Sequence, residues 1–277
     1  DDEFKDVQLT ADGGYIAAGS RTMSGVYYAY LVKTDVDGNV AWERTYGAYC
    51  YANAVQQTPD GGYVFTGKST EQDPWGDVNL RKVDSAGLEQ WSRYFNLAAY
   101  ADDSGHSVAL TPDGGYIVAG FGGLWSAGQT RMWVIKTDAA GNQMWNTQLG
   151  TTPGTYNMAQ DVLVASDGNY VVAGHLHNGP EQDPVLIKLD PDGATLWIKN
   201  YGGAGDDHFN AVTELDAGGF AVLGSTSAFG AGGSDAYLVF TDNDGNELSS
   251  RTFGGAGDEY GTDVVGPSAG QFALAGY

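Results

Sequence analysis

The sequence contains one cysteine, Cys50, so no disulfide can form within the chain. Basic residues are scarce too: 13 Lys and Arg stand against 35 Asp and Glu, for a formal charge of −22 and a pI near 4.1. So negative a field repels phosphate, which excludes nucleic acid as the expected partner. No apolar run reaches the ~18 residues of a membrane-spanning helix, and no span is expected. The opening Asp1-Asp2-Glu3-Phe4 lacks the features of a secretory leader, so any targeting segment is expected outside this sequence. Long stretches of helical periodicity are missing as well. Glu occurs only 8 times against 27 Asp. Asp serves turns, because its short carboxylate bonds backbone N–H groups two residues on.

Glycine and aromatics are abundant. There are 42 glycines in 277 residues, about twice the usual ~7%, and 17 Tyr, 10 Phe and 7 Trp are spread along the chain. With 42% hydrophobic residues the chain has ample material for a core, which argues against disorder. Many short strands joined by tight turns are expected.

These residues recur with a period. Asp12-Gly-Gly-Tyr15 returns as Asp60-Gly-Gly-Tyr63, Asp113-Gly-Gly-Tyr116 and Asp167-Gly-Asn-Tyr170, and more loosely around Phe220 and Phe272, at aromatic spacings of 48, 53, 54, 50 and 52 residues. Eight residues before each aromatic stands Val7, Val55, Val108, Val162, Val212 or Val264, and four after it Gly19, Gly67, Gly120, Gly174, Gly224 or Gly276. A second half-repeat places Asp35, Asp84, Asp138, Asp190 and Asp242 three residues before a glycine; Trp42, Trp91, Trp145 and Trp197 follow at +7, and Ser249 replaces the fifth Trp. Each unit reads as strand, Gly turn, strand, variable loop, strand, Gly turn, strand, here called A to D. The predicted fold is all-β: a β-propeller of four-stranded antiparallel blades, about 50 residues per repeat. The Trp rings are expected to fill the wedge between neighbouring blades.

Leu196-Trp197-Ile-Lys-Asn-Tyr-Gly-Gly-Ala-Gly-Asp-Asp207, Gly218-Gly-Phe-Ala-Val-Leu-Gly-Ser-Thr226 and Ser234-Asp-Ala-Tyr-Leu-Val239 together resemble the seven-bladed β-propeller repeat of bacterial and archaeal secreted and cell-surface proteins. The resemblance covers essentially the whole chain. It implies the fold and an extracellular or cell-surface setting, and brings no shared catalytic set. The Asp-turn-Trp half is more distantly similar to quinoprotein propellers, with a shorter spacing from Asp to Gly, and no quinone is inferred.

Five full blades and one half blade are expected within a single propeller over 1–277, with repeats at 5–46, 53–95, 106–149, 159–201, 210–253 and a partial one at 262–277. Six A–B pairs but five C–D pairs imply part of a longer array. An open strand B invites pairing, by self-association or with a flanking segment.

Function is expected on the variable B–C and D–A loops. Trp75, Trp125, Arg131, His177, Glu181 and Tyr156 are the candidate ligand-binding residues, since rings stack on sugar C–H faces while carboxylates and other polar groups meet hydroxyls. Tyr27, Tyr49, Tyr51, Tyr100, Phe229 and Tyr260 belong to the same loops. His175 and His177, two apart on a strand, with His208 in the next D–A loop, form a candidate transition-metal set. Calcium is weighed at Asp35/Asp37, Asp190/Asp192 and Asp242/Asp244, but Asp84-Ser-Ala-Gly87 and Asp138-Ala-Ala-Gly141 keep the glycine without the second acid, so turn geometry explains the motif better. The acidic pairs Asp102/Asp103, Asp206/Asp207 and Asp258/Glu259 are further cation candidates. Asp77, Asp183 and Asp235 occupy one place in three blades and read as loop caps. No catalytic residue and no cofactor is assigned. The expected function is non-catalytic glycan or protein recognition, or surface assembly, outside the cell or at its surface. The alternative is a secreted polysaccharide-active enzyme, a lyase or glycoside hydrolase, with its site on the loop face.

Overall fold

Alternating side chains and a glycine turn every few residues fold the chain into antiparallel ribbons. In the computed structural model, which describes residues 2–98, 100–124, 129–150, 155–177, 181–268 and 271–277, every regular element is a strand. The first blade holds β1 (Asp2–Leu9), β2 (Tyr15–Met23), β3 (Val26–Thr34) and β4 (Val40–Ala48). The second holds β5 (Ala54–Gln57), β6 (Tyr63–Ser69), β7 (Asp77–Val83) and β8 (Glu89–Phe95). The third is β9 (Ser104–Leu110), β10 (Tyr116–Leu124), β11 (Gln129–Thr137) and β12 (Gln143–Leu149). The fourth is β13 (Met158–Val164), β14 (Tyr170–His177), β15 (Gln182–Leu189) and β16 (Thr195–Asn200). The fifth is β17 (His208–Glu214), β18 (Phe220–Thr226), β19 (Asp235–Thr241) and β20 (Glu247–Phe253), and a two-stranded sheet of β21 (Gly261–Ser268) and β22 (Gln271–Gly276) follows. In each sheet neighbours in sequence are neighbours in space, as in propeller blades. The chain divides into two compact units, Asp1–Ala127 with Val134–Asn146, and Gly128–Trp133 with Thr147–Tyr277.

The repeated glycines have two different causes. Strand A carries a bulge, seen where the β9–β10 register shifts between Ala119 and Gly120, and a Cβ at Gly120 would run into the Ser104 carbonyl. The Asp-to-Gly turns instead need left-handed backbone: Gly141 has φ +77°. They also dock the preceding blade. A Cβ at Gly141 would lie 2.7 Å from the Trp91 ring, and Tyr46 and Tyr201 hydroxyls donate to the Gly87 and Gly245 carbonyls at 2.8 and 2.6 Å. Trp42 packs on Tyr63 and Trp91 on Tyr116, both at 5.8 Å between ring centroids, and Trp197 on Phe220 at 6.4 Å. The tryptophans thus join blade to blade, as expected. Around them lie buried clusters, one with Ile16, Leu31, Val55, Tyr63 and Phe65, another with Val171, Leu186, Phe209 and Val222. Each such side chain contributes about 1.5–3 kcal/mol by leaving water.

A charged pair inside four blades was not anticipated from the sequence. Lys33, Lys82, Lys136 and Lys188, each on strand C, are buried and bridge to Asp12, Asp60, Asp113 and Asp167 of the A–B turn at 2.9, 2.9, 2.7 and 2.6 Å. The ammonium of Lys136 also donates to the Thr137 carbonyl at 2.8 Å. The Thr58 hydroxyl, then Lys82 and the Gly62 N–H, outweigh desolvation and hold Asp60 down to about 2. At Asp113 desolvation pulls upward, but Lys136, Thr111 and the Gly115 N–H prevail and hold it at about 2. The fifth blade has lost both partners together, with Ala217 and Phe240 at the two positions. Phe240 packs instead on Phe272 at 5.3 Å.

Candidate functional site

Four of the D–A loops are fastened by one buried side chain five residues before the strand A valine: Cys50, Asp103, Asn157 or Asp207. Asp103 accepts the Leu97 N–H at 2.8 Å and the Gly123 N–H at 2.9 Å, tying its own loop to the end of β10. Asp207 does the same with the Gly203 and Ser227 N–H groups, at 2.9 and 2.8 Å. Asn157 is the neutral version: it accepts the His177 N–H at 2.8 Å and donates to the Gly150 carbonyl at 3.0 Å. The two first acids are engaged as well, Asp102 by Lys68 at 2.7 Å and Asp206 by the Gln182 N–H at 3.2 Å. These acidic pairs therefore act as loop fasteners. In the Gly turns Asp35 accepts N–H groups of Asp37 and Asn39, and Asp84 those of Ala86 and Leu88, so the first acid caps its turn whether or not a second is present. Asp235 caps as expected, accepting the Ala231 N–H at 3.0 Å.

Because Asn157 joins strand ends, it assembles part of the expected ligand set. His177, the last residue of β14, has Nδ1 2.8 Å from the Tyr156 carbonyl, and the two rings lie 6.4 Å apart. The Thr130 hydroxyl accepts the Asn157 N–H at 2.9 Å, which brings the neighbouring Arg131 to the same strand ends. Arg131 itself donates to Gln148 Oε1 at 2.9 Å. Glu181, just before β15, is half-buried. Trp75 belongs to the other unit, on the β6–β7 loop, with 52% of its surface exposed and its backbone N–H on Asp73 Oδ1 at 2.9 Å. Trp125 lies outside the described residues.

Two of the three histidines meet and the third does not join them. The rings of His175 and His208 stand 6.2 Å apart and near perpendicular, and His208 Nε2 is 2.9 Å from the Ser225 hydroxyl. Burial lowers the pKa of His208 against the upward pull of Asp207 and Asp206. His177 turns to Tyr156 instead. Among the described residues no group of three or more His, Cys, Asp or Glu side chains is arranged to hold a metal ion.

A denser aromatic group, outside the six candidate ligand-binding residues, sits at the loop ends of the first blade. Tyr27 stacks on Tyr51 with ring centroids 4.4 Å apart and meets Tyr49 edge-on at 5.3 Å. Tyr49 is held at φ +56° while 46% exposed, and Tyr100, in the next D–A loop, at φ +66°. Left-handed backbone at a bulky residue is strained, and strain of this kind collects at binding sites. The sequence shows the three tyrosines on adjoining loops, but which of them meet depends on the β3–β4 register. A second feature lies in the other unit: a groove of about 450 Å³ beside β22, walled by Phe253, Tyr260, Leu274 and Tyr277.

No protein-family model matches the chain. No curated protein matches it by sequence either. Solved structures do match in fold. The Pan2 WD40 domain of Neurospora crassa aligns with TM-score 0.59 at 12% identity, over 91% of this chain and 66% of that one. YCF48 bound to D1 peptide gives 0.56 at 12%, over 99% and 74%. A polysaccharide lyase, the ulvan lyase of family PL25 bound to a sugar-acid–rhamnose sulfate ligand, gives 0.57 at 10%, over 89% and 68%. The chain has the β-propeller fold.

Proposed function

We propose that the chain is a non-catalytic recognition module that binds a glycan or a protein through its loop ends, at a cell surface or outside the cell, as a repeat of the secreted and surface propeller type. The observation that carries this reading is the Tyr27, Tyr49 and Tyr51 group, where an exposed ring is held on strained backbone beside two stacked ones. Rings fixed in this way offer stacking area with little conformational freedom left to lose on binding. Tyr156, His177 and Arg131 add polar groups on fastened loops of the other unit. Propellers of this fold bind a peptide in YCF48 and a polysaccharide in the ulvan lyase, so both ligand classes suit the scaffold. The test is a glycan and peptide array followed by analysis of the bound ligand for cleavage. Binding without products, lost in Tyr49→Gly at unchanged thermal stability, is the expected result. Cleavage products would move the chain to the polysaccharide-active class, and binding indifferent to Tyr49 would remove this site.

A further inference from the structure

Seven aspartates stand immediately before a glycine: Asp12, Asp60, Asp113 and Asp167 in A–B turns, and Asp37, Asp192 and Asp244 in C–D turns. This dipeptide is open to a rearrangement of its own backbone, because glycine has no side chain to shield its nitrogen. The glycine nitrogen attacks the Asp Cγ, a new N–C bond closes a five-membered succinimide, and a carboxyl oxygen leaves as water with the amide proton. Water then adds back at either carbonyl. Opening at the main-chain carbonyl breaks its bond to nitrogen and leaves the chain running through Cγ, as isoaspartate, with no net change of atoms. The step needs a carboxyl that can turn onto the nitrogen and take up a proton, since an ionised carboxylate is a poor electrophile with no leaving group. The attacking nitrogens are held alike in both kinds of turn. Gly61 and Gly114 N–H groups donate to the Thr58 and Thr111 carbonyls, both at 2.9 Å, and those of Gly193 and Gly245 to the Asp190 and Asp242 carbonyls at 3.0 and 3.1 Å. All seven aspartates are exposed, so water reaches each of them.

What differs is the carboxylate. That of Asp60 accepts the Thr58 hydroxyl at 2.5 Å, the Gly62 N–H at 3.0 Å and the Lys82 ammonium at 2.9 Å. Asp12 and Asp113 repeat these three contacts with Thr10, Gly14 and Lys33 and with Thr111, Gly115 and Lys136. Asp167 keeps Lys188 at 2.6 Å and the Asn169 N–H at 3.0 Å. Asp37, Asp192 and Asp244 instead use only their own N–H, each donating at 3.0 Å to the first acid of its turn, and among the described residues nothing bonds to their carboxylates. We propose that Asp37, Asp192 and Asp244 are isoaspartate-forming sites, and that the buried lysine of each A–B turn guards Asp12, Asp60, Asp113 and Asp167 against the same rearrangement. The guard acts by fixing the carboxylate and by keeping it ionised. Asp60 and Asp113 titrate at about 2 against an ordinary 3.8, which cuts the protonated fraction more than about tenfold at any pH above both values. At Asp244 the change bears on a blade seam. A Cβ on Gly245 would lie 2.9 Å from the Trp197 ring, and the Gly245 carbonyl accepts the Tyr201 hydroxyl at 2.6 Å, so an extra methylene in the main chain there lifts the turn from its seat. None of this depends on the function proposed for the loop ends.

The test is prolonged incubation of the full chain at neutral pH, folded and, in parallel, unfolded in urea. Isoaspartate is then located by labelling with an isoaspartate-specific methyltransferase and by peptide mapping. Unfolded, all seven sites have lost their partners and should react at similar rates. Folded, Asp37, Asp192 and Asp244 should each form isoaspartate at least about tenfold faster than Asp60 and Asp113. Lys136→Met should raise the rate at Asp113 several-fold while Asp60 of the same chain stays as it was, which separates a lost guard from general loosening. Chains modified at Asp244 should melt at lower urea than fresh ones. Equal rates at the two sets in the folded chain would overturn the proposal. So would a folded chain in which the three C–D sites stay unmodified while the urea sample reacts, or a Lys136→Met chain with no rise at Asp113. An unchanged melt of the chains modified at Asp244 would remove the effect on the seam.

Discussion

Replacing Asp113 by alanine would leave the Lys136 ammonium, with 2% of its side chain exposed, on the Thr137 carbonyl and the Met144 sulfur alone, at 2.8 and 3.8 Å. Breaking a fully buried ion pair from one side costs about 3–5 kcal/mol, and an exposed pair is worth about 0–1. Asp113 is half-exposed, so water reaches the gap and an intermediate loss of about 2 kcal/mol is expected. Lys136→Met keeps the apolar stem and leaves Asp113 with Thr111 and the Gly115 N–H, a loss of about 1 kcal/mol. The double variant reproduces what the fifth blade does with Ala217 and Phe240. It should lie within about 1 kcal/mol of the unaltered chain, a coupling of about 2 kcal/mol. Urea melts of the four proteins at equal m-value measure this. The pair also carries a pH signature. Asp113 titrates at about 2 in the folded chain against an ordinary 3.8, so its contribution is present above the ordinary value and lost as pH falls through the folded one. The double variant should lose less stability over that window. Additive single losses, or an Asp113→Ala variant as stable as the parent, would refute the pair as a structural element.

Other outcomes follow from the same geometry. Gly114 and Gly141 both have positive φ, but only Gly141 faces a ring, so Gly114→Ala should cost about 1–2 kcal/mol and Gly141→Ala clearly more; equal losses in denaturant melts would deny the Trp91 docking. Burial pushes the Asp103 carboxyl up to about 7, against the two N–H groups it accepts. Its stabilising contribution is then complete below 3.8 and lost as pH rises through about 7. Asp103→Asn, which copies Asn157, should flatten the stability profile over that range, and an unchanged slope in melts at several pH values would count against it. Tyr49→Gly should melt within a few tenths of a kcal/mol of the parent, since relief of φ +56° offsets the lost contact with Tyr27. A loss above about 1 kcal/mol would show that the ring is structural.

Much of this fold is legible because its signals are local. A turn needing φ > 0 writes a glycine at a fixed offset, and a ring seated on the next blade's turn writes a tryptophan seven residues after the turn Asp. The Lys136–Asp113 pair uses residues that recur just as regularly, but Asp in a tight turn already has a local explanation, and the partner lies 23 residues away across a hairpin. The site was less legible for the same reason. Tyr156 and His177 meet because Asn157 ties two strand ends together, and Tyr27 meets Tyr49 and Tyr51 through strand register. Neither follows from spacing.

The joints built on Trp42 and Trp91 are interchangeable in form, and that of Trp197 follows them: ring on Gly turn, ring on the first aromatic of strand B. An insertion or deletion of one whole repeat between such joints would preserve the ring-on-turn contact at the new seam, while a change out of phase would destroy both seams. Stability should then be a sum over neighbours rather than a property of the entire chain. The fifth blade breaks the series, with Ser249 in place of the tryptophan and Phe240 set against Phe272. Its seam rests on a different ring pair. A chain of near-identical modules thereby acquires a marked position, where a repeat brought in from elsewhere in the series would not find its partner ring.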